Sequence, residues 1–464
     1  MNPQIATVVY LAGILGLFLL DPERKPKTSK ALWLPVVWLW INGSRPLSAW
    51  LEMKPPSAVD LDGSPLDRTL YALLMVGAVI VLVKRRPSVI RTLRANPAVL
   101  LFVLYCGYSV LWSDDPAVAF KRWTKSLGDF MMVLIVLTDP QRIRAVKRLL
   151  TRVSFMLIPL SVLLIKYYPY LSRAYGPWDG RMFVSGVATD KNMLGMICLF
   201  FGLGTVWQLL EDWRDERGTE RTRRLIAYGA VLAMLSWLFV LADSKTSVSC
   251  FVMAAGLLAL THWVRSTRKT ALIHLAVAAI VGISFAVLFL DVGGSVLETL
   301  GRNRTLTGRT EIWAGLLKTA GSSLFGSGFE SFWLPEHLSR IWRINEFLRG
   351  VNEAHNGYLE VYLNLGWVGI ILLAALMFTG YRHAVAGLRR DVGIGNLGLA
   401  LFVAATVYAF TEAAFRIMSP IWFGFLLSIM TVPKPRAHRL PTPPILNESP
   451  LDTYAFTISQ GVAQ

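Results

Sequence analysis

Charge is what this sequence has little of: Asp, Glu, Lys and Arg make up 17% of its 464 residues, against roughly a quarter in soluble globular chains. Cysteine is scarcer still, with three residues. Cys106, Cys198 and Cys250 each fall inside an apolar run, which argues against a disulfide framework and leaves them as packing residues. The signatures of soluble enzymes are missing as well: there is no Gly-x-Gly-x-x-Gly loop, no Walker loop, no His-Glu-x-x-His and no cysteine pair for a metal. No basic leader and small-residue cleavage site precede Asp21, so residues 5–20 read as a retained helix rather than a signal peptide. A net charge of +17 raises the question of nucleic acid. A DNA binder gathers its Lys and Arg on one face or tail, whereas here they stand in short segments between apolar runs, so nucleic acid is not an expected partner.

What is present is apolar sequence, 54% of the chain with a mean hydropathy of +0.48. Lipid leaves no backbone polar group unpaired, so repeated runs of about twenty apolar residues have to be helices. The expected fold is all-α, a polytopic membrane protein of twelve or thirteen spans near residues 5–20, 31–41, 69–83, 97–112, 126–138, 149–166, 193–210, 225–242, 247–264, 271–290, 357–380, 396–411 and 414–431. Loop charge tests this independently of hydropathy, because short cytoplasmic loops collect Lys and Arg. Basic groups follow every second helix: Arg24 to Lys30, Lys84 to Arg94, Arg142 to Arg152, Arg214 to Arg224, and Arg265 to Lys269. That alternation places the N-terminus outside and the C-terminus in the cytoplasm. The domain reading is a transmembrane domain over 1–431, a periplasmic catalytic loop over 291–356 between the tenth and eleventh helices, and a Pro-rich disordered cytoplasmic tail over 432–464.

Connections between bundled helices are usually two to eight residues long, so the stretch from Asp291 to Asn356 invites a functional reading. Within it, Ile312, Trp313, Leu316 and Leu317 recur at helical spacing, consistent with a helix lying on the membrane surface. The alternative is a folded spacer. Only His337 and His355 of the six histidines fall on the outer side in this topology, which makes each a candidate base. The seventh, ninth and eleventh helices begin outside, and a helix N-terminus offers free N–H groups and partial positive charge to an anion. Arg181, Lys245 and His355 stand just before these three starts, and Arg309 lies in the long loop. Arg grips phosphate bidentately and Lys acts as a point charge. Each also has a plain reading, as a basic group snorkelling to headgroups or a residue capping a helix. Asp60-Leu-Asp62 offers a weak metal-binding alternative.

Three segments then carry a resemblance: Thr307-Gly-Arg-Thr-Glu-Ile-Trp313, Gly326-Ser-Gly-Phe329 and His355-Asn-Gly-Tyr-Leu-Glu-Val-Tyr-Leu-Asn-Leu-Gly-Trp-Val-Gly369. They resemble the signature region of the O-antigen ligase and Wzy-type polysaccharide polymerase superfamily, and Leu111-Trp-Ser-Asp-Asp-Pro116 with Lys121 and Arg122 resembles its exopolysaccharide polymerase branch. The resemblance implies an inner-membrane glycosyltransferase, inverting and free of metal and other cofactors, working at the periplasmic face. Its donor is a glycan on undecaprenyl diphosphate and its acceptor a second glycan or lipid A core, with membrane lipids as surroundings. It further implies His355 as catalytic base, with Arg181 and Lys245 as catalytic contacts to the diphosphate and Arg309, Lys121, Arg122, Asn356 and Tyr358 as substrate-binding residues. Position 245 departs from the pattern, Lys standing where many members carry Arg. A transporter of lipid-linked glycan or a small anion is the alternative of another class, disfavoured because few ionisable groups lie within the spans.

Overall fold

The computed structural model describes residues 2–22, 27–52, 64–175, 180, 182–215, 218–264, 270–290, 309–344, 348, 351–390 and 392–433. Its helices, in chain order, are α1 (Pro3–Leu20), α2 (Trp33–Asn42), α3 (Leu47–Leu51), α4 (Pro65–Lys84), α5 (Arg86–Arg94), α6 (Pro97–Tyr108), α7 (Pro116–Leu137), α8 (Arg142–Tyr167), α9 (Pro169–Ser172), α10 (Lys191–Asp215), α11 (Thr219–Ala242), α12 (Lys245–Val264) and α13 (Thr270–Phe289). After these come α14 (Arg309–Thr319), α15 (Pro335–Ile344), α16 (Gly357–Arg390), α17 (Val392–Tyr408) and α18 (Pro420–Ile429). One antiparallel hairpin, β1 (Arg173–Tyr175) with β2 (Met182–Val184), is the strand pairing among the described residues.

The chain is an all-α, multi-pass membrane protein. Among the described residues, 8 helices are long and apolar enough to cross a membrane, or 9 if α5 and the α6 segment, bent by 92°, form one span. Each expected run contains a helix, but α2 and α18 have only 10 residues each. At about 1.5 Å per residue such helices fall well short of a hydrocarbon core of about 30 Å. They are buried among neighbours instead. α8 and α10 form the centre, 78% and 72% of their apolar windows lying inside the protein, whereas α1 and α13 at 11% turn outward.

Local chemistry sets several helix starts. Ser64 caps α4 through Leu66 N and Asp115 caps α7 through Val118 N, each followed by a proline whose missing N–H costs nothing at a first helical position. The Asp115-Pro116 start places α7 ten residues ahead of the expected boundary at 126, so Lys121, Arg122 and Lys125 belong to a helix and not to a loop. The expected helices at 396–411 and 414–431 differ more. α17 stops at Tyr408, α18 starts at Pro420, and the residues between form an irregular loop with Met418 at φ +56°. Buried Asp129 of α7 holds that loop: it accepts Met418 N at 2.7 Å, Trp38 Nε1 at 2.7 Å and Asn42 Nδ2 at 3.2 Å. Three donors offset the cost of placing a carboxylate among apolar helices.

The segment from α14 to Asn356 folds over one end of the bundle on a small core of its own, Leu316, Phe332, Ile341, Leu348 and Ala354 against Leu363 of α16. Two glycines allow this. α16 breaks at Gly366, φ +63°, where a Cβ would come within 2.3 Å of the Leu324 carbonyl oxygen, and at Gly326, φ +70°, a Cβ would meet the Asn364 backbone at 2.5 Å. No side chain fits either place. The broken backbone pairs instead with the turn, Gly328 N donating to Asn364 O at 2.8 Å and Trp367 N to Ser323 O at 3.0 Å. The same segment is latched to the Ser113 loop by the Ser113–Ser331 hydroxyl pair at 2.7 Å and the His337–Asp114 contact at 3.3 Å. Thus the Leu111–Pro116 motif holds this cap in place. Residues 291–308 and the expected tail beyond Pro433 lie outside the described residues.

Candidate active site

His355 is the first residue to place. It sits at φ +48°, a conformation that costs a non-glycine residue of order 1–3 kcal/mol and persists only where surroundings enforce it. The enforcement is visible on both sides. Ala354 gives its carbonyl to Trp313 Nε1 of α14 at 2.7 Å and its N–H to Glu360 Oε1 at 2.6 Å, while Glu360 Oε2 takes Trp333 Nε1 at 2.7 Å. After His355, Asn356 Oδ1 caps α16 through Tyr358 N and Leu359 N, both at 3.0 Å, and Gly357 N donates to Ala409 O at 2.8 Å. The first N–H groups of α16 are therefore already used, and the anion-holding role expected of that helix start passes to side chains.

Those side chains form an alternating chain of charge. Arg309 Nη2 lies 3.0 Å from Glu412 Oε1; Glu412 Oε2 lies 3.5 Å from His355 Nδ1; His355 Nδ1 lies 2.8 Å from Glu353 Oε1; and Glu353 Oε2 lies 3.5 Å from Arg416 Nη1. Neither carboxylate meets the His355 nitrogen at a hydrogen-bonding angle, so the pairing is one of charge. Burial alone pushes the imidazole down, but the carboxylates of Glu353 and Glu412 outweigh it and lift His355 to about 10. Burial likewise raises Glu353, and His355, Arg416 and Arg309 reverse this and bring it to about 2. Both carboxylates on the Nδ1 side thus favour the protonated ring.

Glu353, His355 and Glu412 also lie close enough together to hold a cation. Their carboxylates, however, already face Arg416 and Arg309. A divalent ion would have to take each from a guanidinium, and would itself repel the protonated ring.

The other expected residues divide. Arg309 joins the chain, also donating to the Thr411 carbonyl, and Trp313 four residues on lies on the same face of α14. Lys245 is exposed at the start of α12, and the next residue, Thr246, meets Thr411 hydroxyl to hydroxyl at 3.1 Å. Asn356 and Tyr358 are engaged by the protein itself, Asn356 Nδ2 with Phe410 O at 3.2 Å and Tyr358 hydroxyl with Thr406 O at 3.0 Å, and so position the loop rather than face the opening. Arg122 donates to the Glu330 carbonyl, feels the charge of Arg416 and stands with Lys121 on α7. Arg181 and Asp60-Leu-Asp62 lie outside the described residues. Glu412 and Arg416 are the residues that sequence reasoning missed. Their signal was present: Glu412 stands in the two-residue gap between the runs 396–411 and 414–431, and Arg416 stands inside the second, where a charge is expensive.

Residues 229–374 match the O-antigen ligase family, a span that contains Lys245, Arg309, Glu353 and His355. The chain is also 25% identical over 366 residues to the exopolysaccharide production protein ExoQ of Rhizobium meliloti (strain 1021), covering 74% of this chain and 78% of that protein. Both findings make the chain similar to the O-antigen ligase and Wzy-type polymerase family. The likeness supports a membrane enzyme of the ligase and polymerase type that transfers glycosyl groups from lipid-linked glycans. This carries the enzyme reading over the transporter. Glu412 and Arg416 lie beyond the matched family span, although they complete the charge chain within it.

Proposed function

We propose that the chain is an exopolysaccharide or O-antigen polymerase of the bacterial inner membrane, transferring glycan from undecaprenyl diphosphate at the periplasmic face. The observation that carries it is the alternating chain Arg309–Glu412–His355–Glu353–Arg416. Basic groups concentrated at the opposite end of the helices support the orientation. Similarity to ExoQ over most of both chains favours the polymerase over joining to lipid A core.

In this reaction an acceptor hydroxyl oxygen forms a bond to the anomeric carbon. The bond from that carbon to the donor diphosphate breaks, its electron pair stays on the diphosphate, and in-line displacement inverts the centre. Arg309, Lys245 and Arg181 hold the leaving anion. The Glu353–His355 pair keeps one proton, at rest on His355, so ionised Glu353 receives the hydroxyl proton while the imidazolium orients it and offsets the charge of the diphosphate. No metal takes part.

The test is product formation by purified protein and a lipid-linked repeat. His355→Ala and Glu353→Gln are expected to lose roughly 10²- to 10⁴-fold in turnover, the usual scale for proton transfer, with donor lipid still bound. Wild-type turnover by both variants would overturn the assignment. Glycan appearing on lipid A core but never on a lipid-linked acceptor would establish the ligase instead.

A further inference from the structure

The cap does more than cover one end of the bundle, because it reaches the backbone beside His355 through two indole groups. Trp313 Nε1 of α14 donates to the Ala354 carbonyl at 2.7 Å. Ala354 N donates to Glu360 Oε1 at 2.6 Å, and the other oxygen of that carboxylate, Oε2, takes Trp333 Nε1 at 2.7 Å. Glu360 is thus a bridge, with the cap on one side and the residue before His355 on the other. Accepting an N–H at each oxygen is what a carboxylate offers; an amide, with one acceptor oxygen and one donor nitrogen, cannot copy it. The Trp333 turn is itself registered on α16, where Asn364, one helical turn beyond Glu360, takes Ser331 N at 2.8 Å and Phe332 N at 3.0 Å.

What the bridge acts on is orientation. Glu360 holds the peptide group that joins residues 353 and 354, and Trp313 holds the next one, which leads into His355. Neither peptide can turn without breaking a bond to the cap. Ala354 is buried in the cap core, while the side chains before and after it, Glu353 and His355, meet at 2.8 Å. The left-handed backbone of His355, φ +48°, would relax in a loop held less firmly. Glu360 also faces a cavity of about 50 Å³ shared with Glu330 and Arg416. That is room for a few waters and too little for a sugar, so Glu360 works through the backbone and not on substrate.

We infer that Glu360, together with Trp333 and Trp313, is a positioning device for the reaction: the docked cap fixes the two peptide groups that aim His355 and Glu353 at each other. The inference rests on reading Glu353 and His355 as the acid–base pair.

The test is steady-state turnover of a lipid-linked repeat by purified full-length variants, with abundance and thermal unfolding read on the same preparations. In Glu360→Gln an amide N–H faces one of the two N–H donors. The expected loss is roughly 10- to 100-fold in kcat, the scale of a displacement of about 1 Å in a catalytic group. KM for the lipid-linked repeat should stay within about twofold, since the lost contact acts on chemistry and not on binding. Trp333→Phe keeps a ring and removes one donor, and alone it should cost about threefold. Combined with Glu360→Gln it relieves the opposed donors, so the double variant should exceed Glu360→Gln alone by about fivefold or more. A residue that merely stabilised the cap would give no such rescue. Trp313→Phe leaves Glu360 in place and should likewise lower kcat and spare KM, which carries the test if Glu360→Gln does not accumulate. Wild-type kcat in Glu360→Gln or Trp313→Phe, a loss confined to abundance or to KM, or a double variant no faster than Glu360→Gln would each overturn the inference. Such a result beside an inactive His355→Ala sinks the inference alone, whereas wild-type turnover by His355→Ala sinks the acid–base reading beneath it.

Discussion

Two ionic clusters sit at opposite ends of α10, built from the same kinds of side chain to opposite effect. At the far end Asp21 meets Arg148 at 3.0 Å, Arg224 at 3.1 Å and the Tyr228 hydroxyl at 3.2 Å, while Asp212 meets Lys147 at 3.3 Å and Arg224 at 3.5 Å. Both carboxylates are nearly sealed from solvent. They tie α1, α8, α10 and α11 together. At the His355 end the ionic distances are similar, but the backbone of His355 is held in a left-handed conformation and Arg416 keeps 55% of its side chain exposed. A saturated, buried cluster serves stability, whereas a strained and open one has capacity left for a ligand.

The largest expected effects break this comparison most directly. Asp21→Ala takes the carboxylate partner from Arg148 and leaves Arg224 with Asp212 alone, in a buried place where breaking an ion pair costs about 3–5 kcal/mol. The expected result is a large loss of folded protein in membranes with turnover per folded molecule close to wild type. His355→Ala should do the reverse, with normal abundance and turnover down by roughly 10²-fold or more. Thermal unfolding and product assays on the same preparations read both. A folded Asp21→Ala protein without activity would mean that the far cluster is coupled to catalysis and the division between the two ends is wrong.

A smaller effect sharpens the comparison within the site. Glu412→Gln removes the anion between Arg309 and His355, and losing a hydrogen bond to a charged group is worth about 1.5–3 kcal/mol. Turnover should fall by roughly 10- to 100-fold, with abundance barely changed. If abundance falls and turnover does not, Glu412 belongs with the locking residues. Chelation is expected to have no effect: activity lost in EDTA and restored by a divalent ion would mean that Glu353, His355 and Glu412 hold a metal.

The membrane fold was legible because lipid imposes one rule on every span, and apolar runs with basic groups after every second one state it plainly. His355, Lys245 and Arg309 were legible because each stands at a helix start or within a motif. Glu412 and Arg416 were not, for a physical reason: nothing local ends α17 at Tyr408 visibly, since the loop after it is shaped by distant partners, Gly357 N on Ala409 O and Asp129 on Met418 N. Hydropathy counts Arg416 as helix and leaves Glu412 in a gap of two residues between helices. The protonation state of His355 was hidden for the same reason, because one of its two carboxylates comes from that loop, 57 positions further along the chain by residue number.

The last and smallest effect is one of pH, and its sign follows from the charge chain. His355 is raised from 6.5 to about 10, so its contribution to stability is complete below pH 6.5 and is lost as pH climbs through 10. Glu353 is lowered from 4.5 to about 2, so its contribution is complete above pH 4.5 and is lost as pH falls through 2. Both ions stabilise fully between pH 4.5 and 6.5, and the pair remains charged across the neutral range. With imidazolium as the working form, kcat/KM should be level through neutral pH and fall as pH nears 10. A rate that instead rises toward pH 10 would show that the neutral ring is the base. Glu412→Gln separates the two further: with one carboxylate gone, the alkaline fall should move to lower pH, whereas an unmoved profile would mean that Glu412 has no hold on the His355 proton.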